Sequence, residues 1–294
     1  MKQLLILSGK GGTGKTTVAS AFITMSKGRA FADCDVDAPN LHLVMSQLSE
    51  PAKTDYYGFG KAVIDQEKCT RCGLCEENCS FGAIKDFSIG EFECEGCGVC
   101  LEICPVQAIT MLDHISGDMM LYKNDERVFS TAQLKMGSGA SGKLVTAVKQ
   151  QLIQEAPDSD LAIVDGSPGI GCPVIASING VDFVLIVAEP TISGMHDMKR
   201  IIETSKHFGV PCAVCINKYD VNVDTANEIE SYCNGLSVSV VGRIPYDETV
   251  VKAVNNCQSI ASYPESPAGK AIGLIWERIL NDLVSVKNRE GENL

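Results

Sequence analysis

The chain has few aromatic residues, few histidines and no excess of basic charge. Only 6% of its 294 residues are aromatic, one is tryptophan, and the formal net charge is −12. Because a nucleic-acid-binding surface needs basic side chains to neutralise phosphates, this balance predicts that nucleic acid is not a partner. The four histidines are scattered and show no metal-ligand spacing: His42, His114, His196 and His207.

Long hydrophobic runs are also absent. The longest apolar stretch, Phe183–Ala188, has the length of a strand, whereas a membrane-spanning helix needs roughly 20 residues. The amino terminus offers only the four apolar residues Leu4–Leu7 before a glycine-rich loop, and residues 287–294 are polar with mixed charge. We therefore expect no secretory signal, no membrane partner and a cytoplasmic, reducing location.

Cysteine, by contrast, is abundant, and eight of the 14 cysteines fall into two runs of identical spacing. Each run reads Cys-x2-Cys-x2-Cys-x3-Cys, and the second is followed by Pro105. A zinc ribbon or a disulfide framework would not produce two such runs, whereas thiolates at this spacing are typical ligands of 4Fe-4S clusters. The runs are Cys69, Cys72, Cys75, Cys79 and Cys94, Cys97, Cys100, Cys104.

This repeat resembles the bacterial two-cluster ferredoxins, from which it departs at Ser80, where proline is usual. In such ferredoxins the fourth cysteine of each run binds the cluster of the other run. The resemblance thus implies two 4Fe-4S clusters with crossed ligands. One is held by Cys69, Cys72, Cys75 and Cys104, and the other by Cys79, Cys94, Cys97 and Cys100.

A second motif lies near the amino terminus, where Leu4–Leu7 leads into the string GKGGTGKTT at residues 9–17. The string fits the phosphate-loop pattern GxxxxGK(S/T), in which backbone N–H groups cradle phosphates, the lysine reaches the terminal phosphates and the hydroxyl binds Mg2+. An incidental strand-turn-helix would not match the whole string. The predicted ATP-binding residues are Gly11, Gly12, Thr13, Gly14, Lys15, Thr16 and Thr17, with Lys15 also catalytic and Thr16 a Mg2+ ligand.

The lysine that precedes this loop, Lys10, adds a resemblance. The string KGGTGKTT resembles the deviant Walker A motif of the superfamily that contains MinD, ParA and the nitrogenase iron protein. The resemblance implies a mostly parallel, doubly wound α/β P-loop NTPase sheet. It also implies an ATP-dependent homodimer in which catalytic Lys10 reaches the nucleotide of the partner. The alternative is that Lys10 is a solvated surface charge.

Acidic residues follow in the order that this superfamily requires. The resemblance implies that Asp35 is catalytic and positions the attacking water, while Asp33 and Asp165 serve Mg2+. Gly169 would then sense the terminal phosphate.

Two later strings imply base recognition, with Asn217 and Pro245 flanking adenine. However, Asn217–Asp220 reads Asn-Lys-Tyr-Asp, which also resembles the guanine-reading motif of GTPases. We favour ATP because the full phosphate loop outweighs a four-residue match, and a nucleotide-dependence assay decides between the two.

The order of the signals predicts a discontinuous ATPase domain, residues 1–57 and 114–294, with an inserted α+β bacterial ferredoxin-like domain at residues 58–113. Because the insert follows the first switch, Asp35–Asn40, we expect the nucleotide state to reposition the clusters or change their exposure. Hydrophobic periodicity predicts further elements downstream. The helices are Ser141–Glu155, Ser193–Phe208, Asp224–Cys233, Asp247–Asn255 and Pro267–Val286, and the strands are Val181–Ala188, Cys212–Ile216 and Val238–Val241.

Cys172 stands seven residues after Asp165, the offset at which the nitrogenase iron protein carries a cluster ligand at its dimer interface. The second ligand of that protein corresponds to Gly139–Gly142, where alanine replaces cysteine. A homodimer would thus offer two thiols, so Cys172 is either a ligand of a labile or partner-completed interface cluster or a structural residue. The other cysteines are predicted to pack as small hydrophobes, with Cys212 and Cys215 on opposite faces of one strand: Cys34, Cys212, Cys215, Cys233 and Cys257.

Three functions remain open. The chain is a dimeric ATPase whose hydrolysis is coupled to electron transfer, or to iron-sulfur cluster assembly or transfer, with an unidentified redox or iron-sulfur client protein. Alternatively, it is a positioning ATPase of the ParA/MinD type with the ferredoxin as a docking or redox-sensing module. The third reading, an electron carrier with a purely structural nucleotide, is disfavoured by Lys10, Lys15 and Asp35.

Overall fold

A nine-stranded sheet forms the frame of the protein in a computed structural model that describes residues 1–27, 29–45 and 50–291, with side chains up to residue 283 in the last helix. The strands are β1 Lys2–Leu7, β2 Ala30–Asp33, β3 Ala52–Tyr57, β4 Lys61–Ile64, β5 Ile84–Lys85, β6 Ser88–Ile89, β7 Ile109–Leu112, β8 Ile115–Lys123, β9 Val128–Leu134, β10 Leu161–Asp165, β11 Phe183–Ala188, β12 Cys212–Asn217 and β13 Ser239–Ile244. The α-helices are α1 Lys15–Met25, α2 Leu41–Val44, α3 Leu74–Glu77, α4 Val99–Ile103, α5 Ser141–Glu155, α6 Cys172–Ile178, α7 Ile192–His207, α8 Val223–Gly235, α9 Glu248–Asn255 and α10 Pro267–Gly291.

The strand order in this sheet is β13-β12-β11-β1-β10-β2-β9-β8-β3. The pairs from β13 to β9 are all parallel, whereas β8 pairs antiparallel with both β9 and β3. Helical crossovers between parallel strands place helices on both faces of such a sheet. The predicted mostly parallel α/β sheet is therefore confirmed.

The central strands are apolar throughout because both of their faces are covered. All six residues of β11 are buried, as are Leu4–Leu7 in β1. One face packs under a hydrophobic group that includes Val148 and Ile201, from α5 and α7. The other face packs against Phe22 and Trp276, from α1 and α10. The sheet thus separates two apolar cores, which is the doubly wound arrangement.

Several elements begin and end close to the predicted residues. Helix α5 coincides with the predicted Ser141–Glu155, while α7 and α9 are shifted by one residue at one or both ends. Strand β11 starts at Phe183 rather than Val181, because the chain is still turning at Gly180, whose φ is 78°. Sequence reasoning missed β8 and β9, since Gly117 and Asp118 interrupt the apolar pattern of β8.

Residues 58–113, here called the cysteine-rich segment, join the antiparallel neighbours β3 and β8 at one edge of the sheet. The segment contains two small antiparallel sheets, β4 with β7 and β5 with β6, and the short helices α3 and α4. Its interior is a separate apolar group that includes Ala62, Ile64 and Ile109. The division of the chain into domains at residues 57/58 and 113/114 stays a prediction.

Among the described residues, no helix has both the length and the apolar character that crossing a bilayer requires.

Candidate functional site

The glycine-rich loop lies between β1 and α1, and α1 begins at Lys15. Gly12 and Gly14 have φ values of 79° and 93°, in the left-handed region that favours glycine. A Cβ at Gly14 would also collide with Nδ2 of Asn217. The loop therefore turns toward the start of α1, where free N–H groups and the positive end of the helix dipole attract phosphate.

Asp165, at the end of β10, joins the two reactive side chains of the loop. Its Oδ1 accepts a hydrogen bond of 2.7 Å from Nζ of Lys15, and its Oδ2 accepts one of 2.7 Å from Oγ1 of Thr16. The Lys15 side chain is 7% exposed and that of Asp165 is fully buried. These two residues are therefore a buried ion pair at the carboxyl ends of parallel strands, where open α/β sheets bind ligands.

Asp33, at the end of β2, organises the loop that follows it. Its carboxylate accepts backbone hydrogen bonds from Asp35 at 3.0 Å and from Asn40 and Leu41 at 2.9 Å. Burial, together with the nearby Asp165 carboxylate, raises the pKa of Asp33 to about 7, against the opposing effects of Lys15 and these N–H groups. Asp33 thus holds the loop that carries Asp35 through main-chain contacts.

Lys15 is the cation of this carboxylate cluster. Burial alone lowers the pKa of Lys15, but Asp165, Asp33 and Asp35 outweigh it and the pKa is raised. For Asp35, burial raises the pKa although Lys15 opposes the shift. The structure therefore gathers three carboxylates around one lysine and one threonine hydroxyl, a donor set that suits Mg2+ beside a phosphate.

Lys10 is held within its own chain. Its Nζ lies 2.9 Å from Oε2 of Glu189, which follows β11, and 3.4 Å from Oγ1 of Thr191. The other carboxylate oxygen of Glu189 lies 3.2 Å from Nζ of Lys218. Burial raises the pKa of Glu189, but the two lysines outweigh it and the pKa is lowered. Sequence reasoning missed Glu189, because nothing in its local string marks it as a partner of Lys10.

Asn217 contacts the phosphate loop directly. Its Nδ2 donates a 2.6 Å hydrogen bond to the carbonyl of Thr13, and Nζ of the adjacent Lys218 donates one of 3.1 Å to the carbonyl of Gly12. Asp220 accepts a hydrogen bond of 2.8 Å from the backbone of Tyr246. The string Asn217–Asp220 thus supports the loop and a neighbouring turn, while Pro245 follows the end of β13.

An open cleft of about 530 Å³ lies over the glycine-rich loop. The Oγ1 atom of Thr13 is buried there without a hydrogen-bond partner among the described residues, which fits a site that awaits a polar ligand. Neither Asn217 nor Pro245 lines this cleft. Its lining is Ser8, Lys10–Thr17, Ser20, Asp35, Asn40, Leu43, Val44, Pro168, Val250, Val254, Cys257, Gln258 and Ile260.

The apolar wall of the cleft comes from α9 and the turn after it, which sequence reasoning missed. Val250 and Val254 lie four residues apart on one face of α9, and Val254 is 46% exposed. An exposed apolar pair at helical spacing was the available signal. The prediction that Cys257 packs as a core residue is wrong, because Cys257 is exposed and lines the cleft. Cys215, by contrast, is buried against one face of the sheet while Cys212 packs against the other.

Two small pockets in the cysteine-rich segment each collect four cysteines. One pocket is lined by Cys69, Cys72, Cys75 and Cys104, here called the Cys69 group. The other is lined by Cys79, Cys94, Cys97 and Cys100, here called the Cys94 group. Each group thus combines three cysteines of one run with the fourth cysteine of the other run.

The two groups have matching surroundings. The Sγ atom of Cys79 accepts a hydrogen bond of 3.3 Å from the N–H of Ala83, and that of Cys104 accepts one of 3.2 Å from the N–H of Ala108. Gly73 and Gly98 begin α3 and α4 with positive φ. Within the described part of the chain, no three cysteine, histidine or acidic side chains converge at the spacing of a single metal ion. A 4Fe-4S cluster differs from a single ion because its four irons are held by four separate thiolates.

Cys172 is the first residue of α6 and is exposed. It lies against Gly142, at the start of α5, where an added Cβ would be 3.3 Å from the carbonyl oxygen of Cys172. Sequence reasoning had associated Cys172 with the string Gly139–Gly142, and the fold brings these positions together. Gly169, in the loop between Asp165 and Cys172, donates its N–H to the carbonyl of Ser8 at 2.9 Å.

The sheet, the glycine-rich loop and the carboxylates at the strand ends define a P-loop nucleotide-binding protein. A family model for the CobQ/CobB/MinD/ParA nucleotide binding domain matches residues 4–260. The chain belongs to this family. An uncharacterized protein of Methanocaldococcus jannaschii is 32% identical over 276 residues, which cover 90% of this chain and 93% of that protein.

Two relatives have names that describe a function. The iron-sulfur cluster carrier protein of Pyrococcus furiosus is 24% identical over 305 residues, covering 97% of this chain and 88% of the relative. The septum site-determining protein MinD of Bacillus subtilis is 25% identical over 300 residues, covering 99% and 93%.

Solved structures of low sequence identity share the fold. The cell division ATPase MinD of Pyrococcus furiosus superposes with a TM-score of 0.58 at 19% identity, covering 95% of this chain and 98% of that one. MinD of Aquifex aeolicus gives a TM-score of 0.56 at 17% identity, with coverages of 96% and 97%. The α/β fold is therefore that of the MinD and ParA proteins.

Proposed function

We propose that the protein is an ATP-hydrolysing, homodimeric iron-sulfur protein that couples its nucleotide cycle to electron transfer with a client protein. The observation that carries this proposal is the presence of two crossed groups of four cysteines in one chain with a complete P-loop site. Cluster assembly or transfer is the neighbouring possibility, and the printed name of the Pyrococcus furiosus relative supports it. Enclosed ligands favour electron transfer, because a donor of clusters needs a labile site.

The nucleotide chemistry is assigned to residues that line the cleft or adjoin it. Backbone N–H groups of Gly11–Thr17 bind the phosphates, and Thr16, Asp33 and Asp165 serve Mg2+. Lys15 leaves Asp165 for the terminal phosphates when nucleotide enters, and Asp35 orients the attacking water. The apolar wall of Val250 and Val254 faces the base, and the partner's Lys10 completes the site. These roles are supported by the hydrogen bonds of Asp165 and by the unpaired Thr13 hydroxyl.

The two cysteine groups fit the two clusters in donor chemistry. All four side chains of each group carry sulfur, apolar residues surround them, and backbone N–H groups approach the sulfurs of Cys79 and Cys104. When bound, 4Fe-4S clusters supply one-electron transfer. The protein's own contribution is to fix the thiolates, exclude water and set the local charge. Residues 58–113 would then be an inserted ferredoxin-like domain.

Cys172 has an open role in this function. Its place at the start of α6, directly after the loop that follows Asp165, makes it the residue outside the cysteine-rich segment best placed to ligate a labile cluster between two subunits. Because one homodimer supplies only two such thiols, that cluster would need further ligands from a client.

The test is an anaerobic purification followed by iron and sulfide determination and a redox titration. We expect about eight irons and eight acid-labile sulfides per chain, together with Mg2+-dependent ATP turnover that GTP does not support. ATP with Mg2+ should shift the potential of at least one cluster. Fewer than about four irons per chain, or zinc in their place, would overturn the iron-sulfur assignment. A potential that ignores ATP would instead favour a ParA/MinD-type positioning ATPase with the segment as a docking or redox-sensing module.

A further inference from the structure

The start of α5 is the place where the cysteine-rich segment rests on the nucleotide-binding part of the chain. The segment contacts residues 137–143, here called the α5 start, at three points. A Cβ added at Gly137 would lie 2.7 Å from the ring of Phe92, and one added at Gly139 would collide with the carboxylate of Glu95. Nζ of Lys143 lies 4.1 Å from the ring centroid of Phe59.

These contacts belong to the Cys94 half of the segment. Glu95 follows Cys94 directly, and both residues line a small hollow together with Phe59 and Gly139. Nζ of Lys61 donates a hydrogen bond to the carbonyl of Cys94. The lining of the Cys69 group, in contrast, comes entirely from residues 64–109. The Cys94 group is therefore the one whose surroundings include the α5 start.

The α5 start also contacts the loop that follows Asp165. Gly142 lies against Cys172, the first residue after that loop. The loop is in turn held to the phosphate-loop strand by the hydrogen bond from Gly169 to Ser8, 2.9 Å long. Cys172 and Glu95 thus approach the same short stretch of chain from opposite directions, one from the nucleotide site and the other from the cysteine group.

Lys149 ties α5 to α6 at the other end of α6. Its buried Nζ donates hydrogen bonds to the carbonyls of Ser177 at 2.8 Å and Asn179 at 2.6 Å. A buried ammonium that satisfies carbonyls at a helix end is costly to displace. Since α6 touches α5 through Cys172 and through Lys149, the two helices are expected to move as one body when the loop after Asp165 changes.

We propose that the α5–α6 pair is a relay that carries the nucleotide state of the loop 166–171 specifically to the Cys94 group, with Glu95 as its positioning residue. The proposal rests on the proposed function, because it assumes both a nucleotide cycle and bound clusters. A negative charge beside a cluster lowers its potential, and a small displacement of that charge changes the effect in a low-dielectric setting. The positive end of α5 attracts the Glu95 carboxylate, so that a movement of α5 moves the charge.

The first experiment removes the charge. In the full-length dimer we expect Glu95→Gln to raise the potential of the Cys94-group cluster and to abolish its shift with a non-hydrolysable ATP analogue and Mg2+. The signal is assigned by its absence in Cys97→Ser. ATP turnover, iron content and the Cys69-group potential should stay at wild-type values. Glu76→Gln is the matched control, since Glu76 is an exposed carboxylate on α3, beside Cys75 of the other group.

A nucleotide-dependent shift that survives in Glu95→Gln, or that is lost equally in Glu76→Gln, overturns the relay. So does a wild-type Cys94-group potential that ignores nucleotide. These outcomes are distinct from failure of the proposed function, which iron content and ATP turnover report separately.

The second experiment needs no substitution and no electrochemistry. Hydrogen–deuterium exchange of the wild-type protein, with and without the same analogue, should change at residues 137–143 and 92–97 as well as at the phosphate loop. A change confined to the phosphate loop and the loops carrying Asp35 and Gly169 contradicts the relay even though nucleotide binds. Exchange that is unchanged at the phosphate loop contradicts nucleotide binding itself.

Discussion

Lys10 and Glu189 form an ion pair inside a single chain, with 2.9 Å between Nζ and Oε2. Lys10 is the side chain that the sequence resemblance expects to reach a partner subunit. Glu189 also binds Lys218, which contacts the carbonyl of Gly12. The ligand-free chain therefore holds its dimerisation lysine on a carboxylate that also supports its own phosphate loop, and dimer formation has to break this contact.

Replacing Glu189 by Gln should free Lys10 and favour the dimer. Because the pair is partly exposed, the gain is about 0.5–1 kcal/mol, or roughly a two- to fivefold lower ATP concentration for dimerisation. Analytical ultracentrifugation at a series of ATP concentrations measures the change. Glu230→Gln, which removes a surface ion pair with Arg243, serves as the control and should leave the dimer unchanged. Weaker dimerisation in Glu189→Gln would show that Glu189 acts in the dimer instead.

Lys15→Ala should abolish ATP turnover and leave the visible absorption of the clusters intact. It also leaves Asp165 buried without its cation, so the free energy of unfolding without nucleotide should fall by about 3–5 kcal/mol. The double variant Lys15→Ala/Asp165→Asn removes the unpaired charge and should recover most of the stability but no turnover. Loss of the cluster absorption in the double variant would mean that the segment and the sheet fold as one unit.

Gly14→Ala should weaken nucleotide binding by about tenfold or more, because a side chain at φ 93° is strained and displaces Asn217. Isothermal titration with ATP measures the loss. Gly273→Ala is the matched control: Gly273 lies within α10, where an added Cβ meets nothing within 4 Å. This control should bind ATP normally and gain about 0.5–1 kcal/mol of stability. Normal binding by Gly14→Ala would remove the glycine-rich loop from the site.

Bound nucleotide should protect Cys257 from alkylation, because this exposed thiol lines the cleft beside Val254. Mass spectrometry of peptides after a brief maleimide treatment, with and without ATP and Mg2+, gives the rate at this position. Cys257→Ser should keep ATP turnover, whereas alkylated wild-type protein should lose it by obstruction of the base side. Equal labelling rates with and without ATP would place the base elsewhere.

Cys104→Ser should remove the cluster of the Cys69 group and leave that of the Cys94 group, although Cys104 belongs to the second run in sequence. Iron should fall from about eight to about four per chain. Cys79→Ser is the mirror-image control and should remove the other cluster, so the two variants should retain clusters with different potentials. Retention of the same cluster in both variants would refute crossed ligation.

The motifs were readable because they are local. The loop from Lys10 to Thr17 needs its glycines wherever it occurs, and each four-cysteine run carries its own spacing. The parallel sheet followed from repeated strand-then-helix patterns. By contrast, β8 and β9 and the apolar wall of α9 were missed, because their residues acquire a role only through neighbours that are distant in sequence.

The sequence by itself determined the phosphate loop, the two cysteine runs and the mostly parallel sheet, since short-range backbone geometry and hydrophobic period dictate them. Only the tertiary structure decided that Glu189 holds Lys10, that Asn217 supports Thr13, that Cys257 faces the cleft and that Glu95 meets the start of α5. The physical reason is that these contacts join residues between 44 and 204 positions apart, and strand order alone brings such positions within reach of one another.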